Sequence, residues 1–232
     1  MTIDYFKYTH QGGRISNEDS IETIYLHNSF ISCIADGVGG ESCGEIASQK
    51  SIAFFISFLE KNDFKQAFIN TNLKIKDLQN ELNGCKKMAS TLSCCIISEN
   101  HLQGIHTGDS RISILRGNGF KQLTEDHTEI NQLLKSGKLK LEDAHTYPRK
   151  HVIYSAIGTS RELAIHIFDY TLQTGDRILL TTDGVHDVIS KLEFRDLSIS
   201  TENIEEFGNG IIDLLKTKMI TDNVSFIAIS VR

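Results

Sequence analysis

The sequence has no apolar run long enough to cross a membrane. A spanning helix needs about 20 consecutive apolar residues, and no stretch of the 232 residues approaches that length. The first residues also lack a basic segment followed by an apolar one, which is the pattern of a secretory signal. We therefore expect a cytoplasmic protein with no membrane partner.

The cysteines are few and odd in number, and positive charges are fewer than negative ones. The five cysteines are an odd number, which fits a reducing compartment better than a framework of disulfides. None is followed by arginine six positions later, so the Cys-x5-Arg loop of a thiolate nucleophile is absent. Cys33, Cys94 and Cys95 lie in apolar, strand-like runs and are predicted to be core residues. The formal net charge of −6 argues against nucleic acid as the main partner.

One stretch stands out against this ordinary background. The apolar run 30–35 ends abruptly on Asp36, and glycine occupies three of the next four positions. We interpret the run as a buried strand, after which glycine lets the chain turn and lets the Gly37 carbonyl approach a ligand closely. A carboxylate and a carbonyl on a rigid strand end suit a hard cation such as Mg²⁺ or Mn²⁺. The same residues also fit a simple turn, because Asp-Gly is a common turn dipeptide.

The same construction recurs along the chain. Asp183 follows an apolar stretch as Asp36 does, and glycine comes next in both cases. Acidic residues at such strand boundaries, each beside Gly, Asn or Thr, are Asp36, Asp109, Asp183 and Asp222. A cluster of these carboxylates would repel itself and raise its own pKa values unless cations occupied it. Taken alone, Asp109 fits an ordinary β-turn equally well.

Charged residues also follow a double-glycine turn near the N-terminus. Arg14 suits a phosphate group through its planar guanidinium, while Glu18 and Asp19 suit a metal ion. The same charges would equally fit a solvated loop.

Elsewhere the pattern predicts helices at 45–59, 64–82, 129–135 and 204–215, and strands at 91–98, 102–106, 112–116, 177–182 and 224–231. The length allows one domain with a substantial core and does not require two.

Taken in chain order, these blocks resemble the metal-dependent type 2C (PPM) protein serine/threonine phosphatases, in their small single-domain bacterial form. The matching blocks are Gly13-Arg14 with Asn17-Glu18-Asp19, Ala35-Asp36-Gly37-Val38-Gly39-Gly40, Ala89-Ser90-Thr91, Gly108-Asp109-Ser110-Arg111, Asp126-His127, Ala156-Ile157-Gly158, Asp183-Gly184 and Asp222-Asn223. The resemblance implies an α+β fold, a four-layer α-β-β-α sandwich of two packed antiparallel sheets flanked by helices. It implies a single catalytic domain over residues 1–232, with a small flap subdomain at about 127–152.

The resemblance also implies a ligand set for Mn²⁺ or Mg²⁺. Asp36 is expected to bridge two ions. Asp183 and Asp222 are expected to complete the shell of one ion, while the Gly37 carbonyl and Glu18 serve the other.

Further roles follow from the same resemblance. A weaker third ion is expected at Asp109 together with Asp183. Asp19 and Asn223 are expected to support the ligands from behind, and Arg14 is expected to hold the phosphate of the substrate.

The activity implied is hydrolysis of phosphoserine and phosphothreonine in proteins by a hydroxide bound to two metal ions, with Arg14 and the ions neutralising the phosphoryl oxygens. The expected partner is a phosphoprotein made by a serine/threonine kinase, and the chain is expected to act in signalling as a monomer.

One alternative is a partner-switching phosphatase acting on an anti-sigma antagonist. Such enzymes usually carry a sensor domain, for which this chain has no room. Another alternative is a phosphoprotein-binding pseudophosphatase, which would be expected to have lost a ligand that is present here.

Some residues depart from the pattern of the family. Val38 stands where eukaryotic members often carry a histidine that is a candidate acid for the leaving group. Protonation must then come from metal-bound water or another group. His127 is an acid by residue type, but we favour a structural role for it. The flap has Tyr147-Pro148 and Lys150-His151 in place of the usual pairs, so the resemblance does not define substrate preference.

Overall fold

The computed structural model describes residues 1–39, 43–149 and 151–232. Its strands are β1 (Ile3–His10), β2 (Asp19–Leu26), β3 (Ser29–Val38), β4 (Ala89–Ser90), β5 (Leu92–Ser98), β6 (His101–Thr107), β7 (Arg111–Arg116), β8 (Gly119–Gln122), β9 (His166–Thr171), β10 (Arg177–Thr181) and β11 (Val224–Val231). Its α-helices are α1 (Cys43–Leu59), α2 (Phe64–Glu81), α3 (Glu129–Lys135), α4 (Asp183–His186), α5 (Lys191–Ser200) and α6 (Ile204–Lys216), and a 3-10 helix covers Leu141–Thr146. Gly40 of the glycine-rich stretch and Lys150 of the flap lie outside the described residues.

The strands form two antiparallel sheets. One sheet has five strands in the order β1-β11-β10-β7-β8. The other has six, in the order β2-β3-β5-β6-β9, with β4 paired to β3. The sheets pack face to face through one apolar cluster, and a further cluster covers the outer face of each sheet. The four-layer sandwich implied by the resemblance is therefore confirmed.

Strand β3 shows why this sequence folds into buried layers. Successive side chains of a strand point to opposite faces of its sheet. Ile31 and Cys33 belong to the cluster under the helices α1 and α2, whereas Phe30 and Ile34 belong to the cluster between the sheets. Because both faces are covered, the strand is apolar along its length instead of alternating.

Helices cover the outer face of each sheet. On the sheet that contains β3, Phe55 of α1 and Phe68 of α2 are fully buried, and their rings lie 5.9 Å apart. On the other sheet, Phe194 of α5 and Phe207 of α6 pack against Phe226 of β11. Within the described ranges, no helix is long and apolar enough to cross a membrane.

The cysteines agree with the sequence expectation only in part. Cys33, Cys94 and Cys95 are free and buried, which confirms that they are core residues. Cys43 and Cys85 form a disulfide, so the expectation that the cysteines are reduced was wrong for this pair. The helical hairpin of α1 and α2 brings Cys85 back beside Cys43. Their Cα atoms lie 5.5 Å apart although 42 positions separate them in sequence. An odd cysteine count does not reveal such a pairing.

Candidate metal centre

Acidic residues from distant parts of the chain meet in one cleft of about 640 Å³, which we call the metal cleft. It is lined by Glu18, Asp36, Gly37, Asp183 and Asp222, together with Gly13, Arg14, Ile15, Ser16, Val38, Gly39 and His151. The expected ligands of the two core ions thus line a single cleft, beside the arginine expected to hold phosphate.

Asp36 is fixed through its backbone. Its N–H donates to the Thr91 hydroxyl at 2.8 Å, and its carbonyl accepts from the Thr91 N–H at 2.9 Å. The Ser90 hydroxyl donates to the same carbonyl at 3.0 Å. The Asp36 carboxyl is shielded from water by the surrounding protein and repelled by Asp19 and Asp183, which raises its pKa well above the ordinary value. Such a carboxyl favours a nearby cation strongly.

Asp19 lies directly opposite Asp36 in the β2–β3 register. Its side chain is only 7% exposed. One oxygen, Oδ2, accepts from the Thr182 hydroxyl at 2.9 Å, while Oδ1 is buried with no hydrogen-bond partner among the described residues. Burial raises the pKa of Asp19 to about 7. An unpartnered buried carboxyl oxygen is costly, so this site fits a cation or a water that completes it.

The double glycine near the N-terminus brings Arg14 to Asp222. Gly12 has a φ of +56°, and side chains at Gly12 or Gly13 would collide with the backbone of residues 220–222. This close approach lets Arg14 form a bidentate pair, with Nε 2.8 Å from Asp222 Oδ1 and Nη2 2.7 Å from Oδ2. The Asp222 carboxylate raises the pKa of Arg14, so the guanidinium remains charged.

Asn223 fastens the same N-terminal loop. Its Oδ1 accepts from the Glu18 N–H at 2.9 Å, and its Nδ2 donates to the carbonyls of Gln11 at 2.9 Å and Ser16 at 2.8 Å. The structure therefore places Asn223 behind Glu18, which lines the metal cleft.

Gly44 is a site residue that the sequence did not single out. A side chain at Gly44, in the first turn of α1, would collide with the Glu18 carboxylate. The Gly37 N–H also donates to the Glu18 carbonyl at 3.1 Å, so three segments meet at Glu18. A glycine at a helix start is too common a feature to have indicated this contact from sequence.

Asp183 is the first residue of α4 and lines the metal cleft and two adjoining clefts. It shares an adjoining cleft of about 170 Å³ with Asp109. Burial raises the pKa of Asp183 to about 6 and that of Asp109 to about 8. The expected third-ion residues are therefore neighbours, in a pocket beside the core site.

His127 holds the Asp109 turn in place. The backbone N–H of His127 donates to the Gly108 carbonyl at 2.7 Å, and the ring Nδ1 accepts from the Gly108 N–H at 3.3 Å. Burial lowers the pKa of His127 to about 4, so the ring is neutral. It is not among the described residues that line the metal cleft. These contacts agree with a structural role.

His151 and Asp187 are further residues that sequence reasoning missed. One ligand atom from each of His151, Asp183 and Asp187 lies within 4.8 Å of the others. His151 Nδ1 is 3.3 Å from Asp187 Oδ2. The available signal for Asp187 was its spacing of four residues from Asp183, which places both on one helical face. His151 belongs to the flap, whose approach to the cleft no local pattern indicates.

The residues present fit divalent cations. The donors that line the metal cleft include carboxylates and the Gly37 carbonyl, and these hard oxygen ligands suit Mn²⁺ or Mg²⁺. The raised pKa values of Glu18, Asp36 and Asp183 and the unpartnered Asp19 oxygen show a concentration of negative charge that Arg14 does not offset.

Comparisons with known proteins identify the family of this chain. The sequence model of the family Protein phosphatase 2C matches residues 3–133, and the chain belongs to this family. The chain is thereby a protein phosphatase. It is similar to the protein phosphatase PhpP of Streptococcus pneumoniae (serotype 2, strain D39), with 32% identity over 231 residues, 90% of this chain and 93% of that protein.

Solved structures show the same likeness. The S. agalactiae serine/threonine phosphatase has a TM-score of 0.91 at 26% identity, with 100% of both chains covered. The catalytic domain of the serine/threonine protein phosphatase PstP, solved in complex with two manganese ions, has a TM-score of 0.84 at 26% identity, with 99% of both chains covered.

Proposed function

We propose that this phosphatase hydrolyses phosphoserine and phosphothreonine in proteins with the help of two divalent cations, Mn²⁺ or Mg²⁺. The observation that carries the proposal is the meeting of Glu18, Asp36, Asp183 and Asp222 in one cleft beside Arg14. The similar proteins named serine/threonine phosphatases, and the two manganese ions of PstP, support it.

The chain's own residues would hold the cations in defined positions. Asp36 would bridge them, Asp183 and Asp222 would complete the shell of one, and Glu18 with the Gly37 carbonyl would serve the other. When bound, two such cations lower the pKa of a shared water and neutralise charge on the phosphoryl group. The hydrogen bonds from Thr91 and Ser90 keep the Asp36 backbone fixed, so the ligand geometry needs little rearrangement.

Arg14 would bind the phosphoryl group of the substrate. In the structure its guanidinium donates two N–H groups to the paired oxygens of Asp222, at 2.8 and 2.7 Å, and it would exchange this partner for the phosphoryl group once Asp222 holds a cation. The oxygens of a phosphate monoester accept the same bidentate arrangement. Arg14 would thus place phosphorus over the carboxylate cluster and offset charge on the equatorial oxygens during transfer.

The two alternatives to this role are a pseudophosphatase and a partner-switching phosphatase. A pseudophosphatase is disfavoured, because each expected ligand of the core pair is present and lines the metal cleft. A partner-switching role would change the substrate and leave the chemistry as proposed. We further propose that the substrates are products of a serine/threonine kinase, since such kinases make phosphoserine and phosphothreonine.

Turnover of a phosphothreonine peptide tests the proposal. We expect hydrolysis with Mn²⁺ or Mg²⁺ and none after exhaustive chelation, with recovery when metal is returned. Alkylation of thiols should leave the rate unchanged, because the free cysteines are buried in the core. Activity that survives chelation would show that the two-metal proposal is wrong.

A further inference from the structure

A second cleft of about 630 Å³ lies beside the metal cleft and has the opposite charge. Its cationic lining residues are Lys76, Lys86, Lys87, Arg149 and Arg161, and we call it the basic cleft. The acidic residue among its described lining residues is Glu129. Such a concentration of positive charge contrasts with the formal net charge of −6 for the whole chain.

The basic cleft is built on a rigid floor. From α2, Gln79 Nε2 donates to the carbonyls of Met88 at 2.6 Å and Gly158 at 2.7 Å. Asn72, also on α2, accepts from the Gly158 N–H at 2.8 Å. These bonds join α2, the loop before β4 and the segment that follows the flap. The cationic side chains therefore project from walls that are fixed relative to one another.

Most of this positive charge is not offset within the protein. Arg149 is paired with Glu129, with Nη2 2.8 Å from Oε2 and Nε 3.0 Å from Oε1. In the part of the chain that the structure describes, Lys86, Lys87 and Arg161 form no ion pair, and neither does Lys76. Cations gathered in this way repel one another and attract an anionic ligand.

The two clefts adjoin across a pair of strands. Ala89 of β4 lines the basic cleft and pairs in antiparallel register with Val38 of β3, which lines the metal cleft. The flap contributes to both, through Arg149 and Val152 on one side and His151 on the other. The two clefts therefore share a boundary at this pair of strands.

We propose that the basic cleft binds an acidic segment of the phosphoprotein substrate while the phosphorylated residue lies in the metal cleft. This inference rests on the function proposed for the metal cleft. Lys87 is only two positions from Ala89, and an extended peptide advances about 3.3 Å per residue. The aspartates or glutamates recognised should therefore lie a few residues from the phosphorylated one, a separation sampled below at three to six residues.

Matched peptides test the inference. Two phosphothreonine peptides would differ only in having Glu or Gln at the positions three to six residues away, on either side. With Mn²⁺ at low ionic strength, the wild-type kcat/KM should favour the Glu peptide by about 10-fold, the scale of a few partly exposed charge pairs. Raising the salt concentration should reduce this preference, because the charges are exposed to solvent.

The double variant Lys86→Glu/Lys87→Glu should abolish the preference and leave kcat/KM for p-nitrophenyl phosphate and the Gln peptide unchanged. The control is Lys50→Glu/Lys65→Glu, which makes the same charge change at exposed positions that line neither cleft and should keep the preference. An equal loss on all substrates, or a preference that persists in the Lys86/Lys87 variant, would overturn the inference.

Binding separates this inference from the proposed function. Fluorescence anisotropy with the unphosphorylated Glu peptide, at low salt, needs no turnover, and we expect binding to wild type to weaken about 10-fold in the Lys86→Glu/Lys87→Glu variant. Failure of the metal-cleft proposal would appear as no metal-dependent hydrolysis of the Gln peptide. Failure of the docking inference would appear as equal binding of Glu and Gln peptides.

Discussion

Replacement of Asp36 by Asn should have opposite effects on stability in the absence and in the presence of metal. The change keeps the shape of the side chain and its backbone contacts with Thr91, but removes its charge. Residues directly opposite on neighbouring antiparallel strands typically hold their Cβ atoms about 5 Å apart, and Asp19 and Asp36 are such a pair. Two ionised carboxylates at that distance repel by about 3 kcal/mol at an effective dielectric constant of about 20.

Without metal, the Asn variant should therefore be more stable than wild type by about 1 to 3 kcal/mol near pH 8, because wild type must either bear this repulsion or keep a carboxyl protonated. The pKa of Asp36 is higher in the folded protein than in the unfolded chain. The contribution of the wild-type Asp36 carboxyl to the free energy of unfolding is thus fully present at low pH, where the group is protonated, and is lost as the pH rises. The advantage of the variant should consequently vanish near pH 4.

With Mn²⁺ the order should reverse. A ligand at 100 times its Kd stabilises the folded state by about 2.7 kcal/mol per site, and the variant lacks the residue shared by both sites. Its turnover should also fall by at least about 10³-fold, the scale of losing a key electrostatic group. Urea unfolding with chelator and with excess Mn²⁺ measures the first effect, and phosphothreonine peptide hydrolysis measures the second.

The matched control is Asp213→Asn, which removes an exposed carboxylate on α6 far from the metal cleft. It should change neither turnover nor the stabilisation by Mn²⁺. A near-normal rate in Asp36→Asn, or the same stabilisation by Mn²⁺ as in wild type, would refute the assignment of Asp36 as the bridging ligand.

Other expectations follow from the same site and fold. Urea titrations of metal-free wild type should show the free energy of unfolding falling between about pH 4 and pH 8. The reason is that the pKa values of Asp19, Asp109 and Asp183 are raised to about 7, 8 and 6 in the folded protein. A free energy of unfolding that rises over this range would contradict the expectation. Asp109→Ala should keep two tightly bound Mn²⁺ ions by calorimetry and lower turnover by weakening the third site, whereas Asp183→Ala should lose a core ion. Unaltered metal dependence in Asp109→Ala would reject the third-ion role. The variant Cys43→Ser/Cys85→Ser should be less stable than oxidised wild type by about 4 kcal/mol, because the disulfide closes a loop of 42 positions. Equal free energies of unfolding for the variant and oxidised wild type would contradict this.

Local signals in the sequence predicted many of the strands and helices and the clustered acidic residues, whereas the four-layer architecture and the role of each ligand were implied by the resemblance to the phosphatase family. The apolar run before Asp36 and the glycines after it are contiguous, although the expected turn after Asp36 was wrong, since β3 continues to Val38 and pairs there with β4. The same construction at Asp183 marked a second wall of the cleft. Helix α5 was missed although Ser190 and Glu193 form a capping box that its sequence displays. Strand β9 was missed because its sequence, from His166 to Thr171, does not alternate regularly between polar and apolar residues, although the burial of its side chains does.

Other features depend on contacts between distant segments, which no local pattern encodes. The Cys43–Cys85 disulfide requires the return of α2 along α1. The place of His151 in the metal cleft requires the flap to fold over the strand ends. The pairing of Arg14 with Asp222 joins residues 208 positions apart, so the sequence could indicate each residue and not the contact between them.

The most direct test of the central claim is anomalous diffraction from crystals of the protein grown with Mn²⁺. We predict two strong peaks about 3.5 to 4 Å apart, both coordinated by the Asp36 carboxylate, with Asp183 and Asp222 on one and Glu18 with the Gly37 carbonyl serving the other. A single peak, or manganese bound only at His151 and Asp187 with Asp36 uncoordinated, would contradict the two-metal centre.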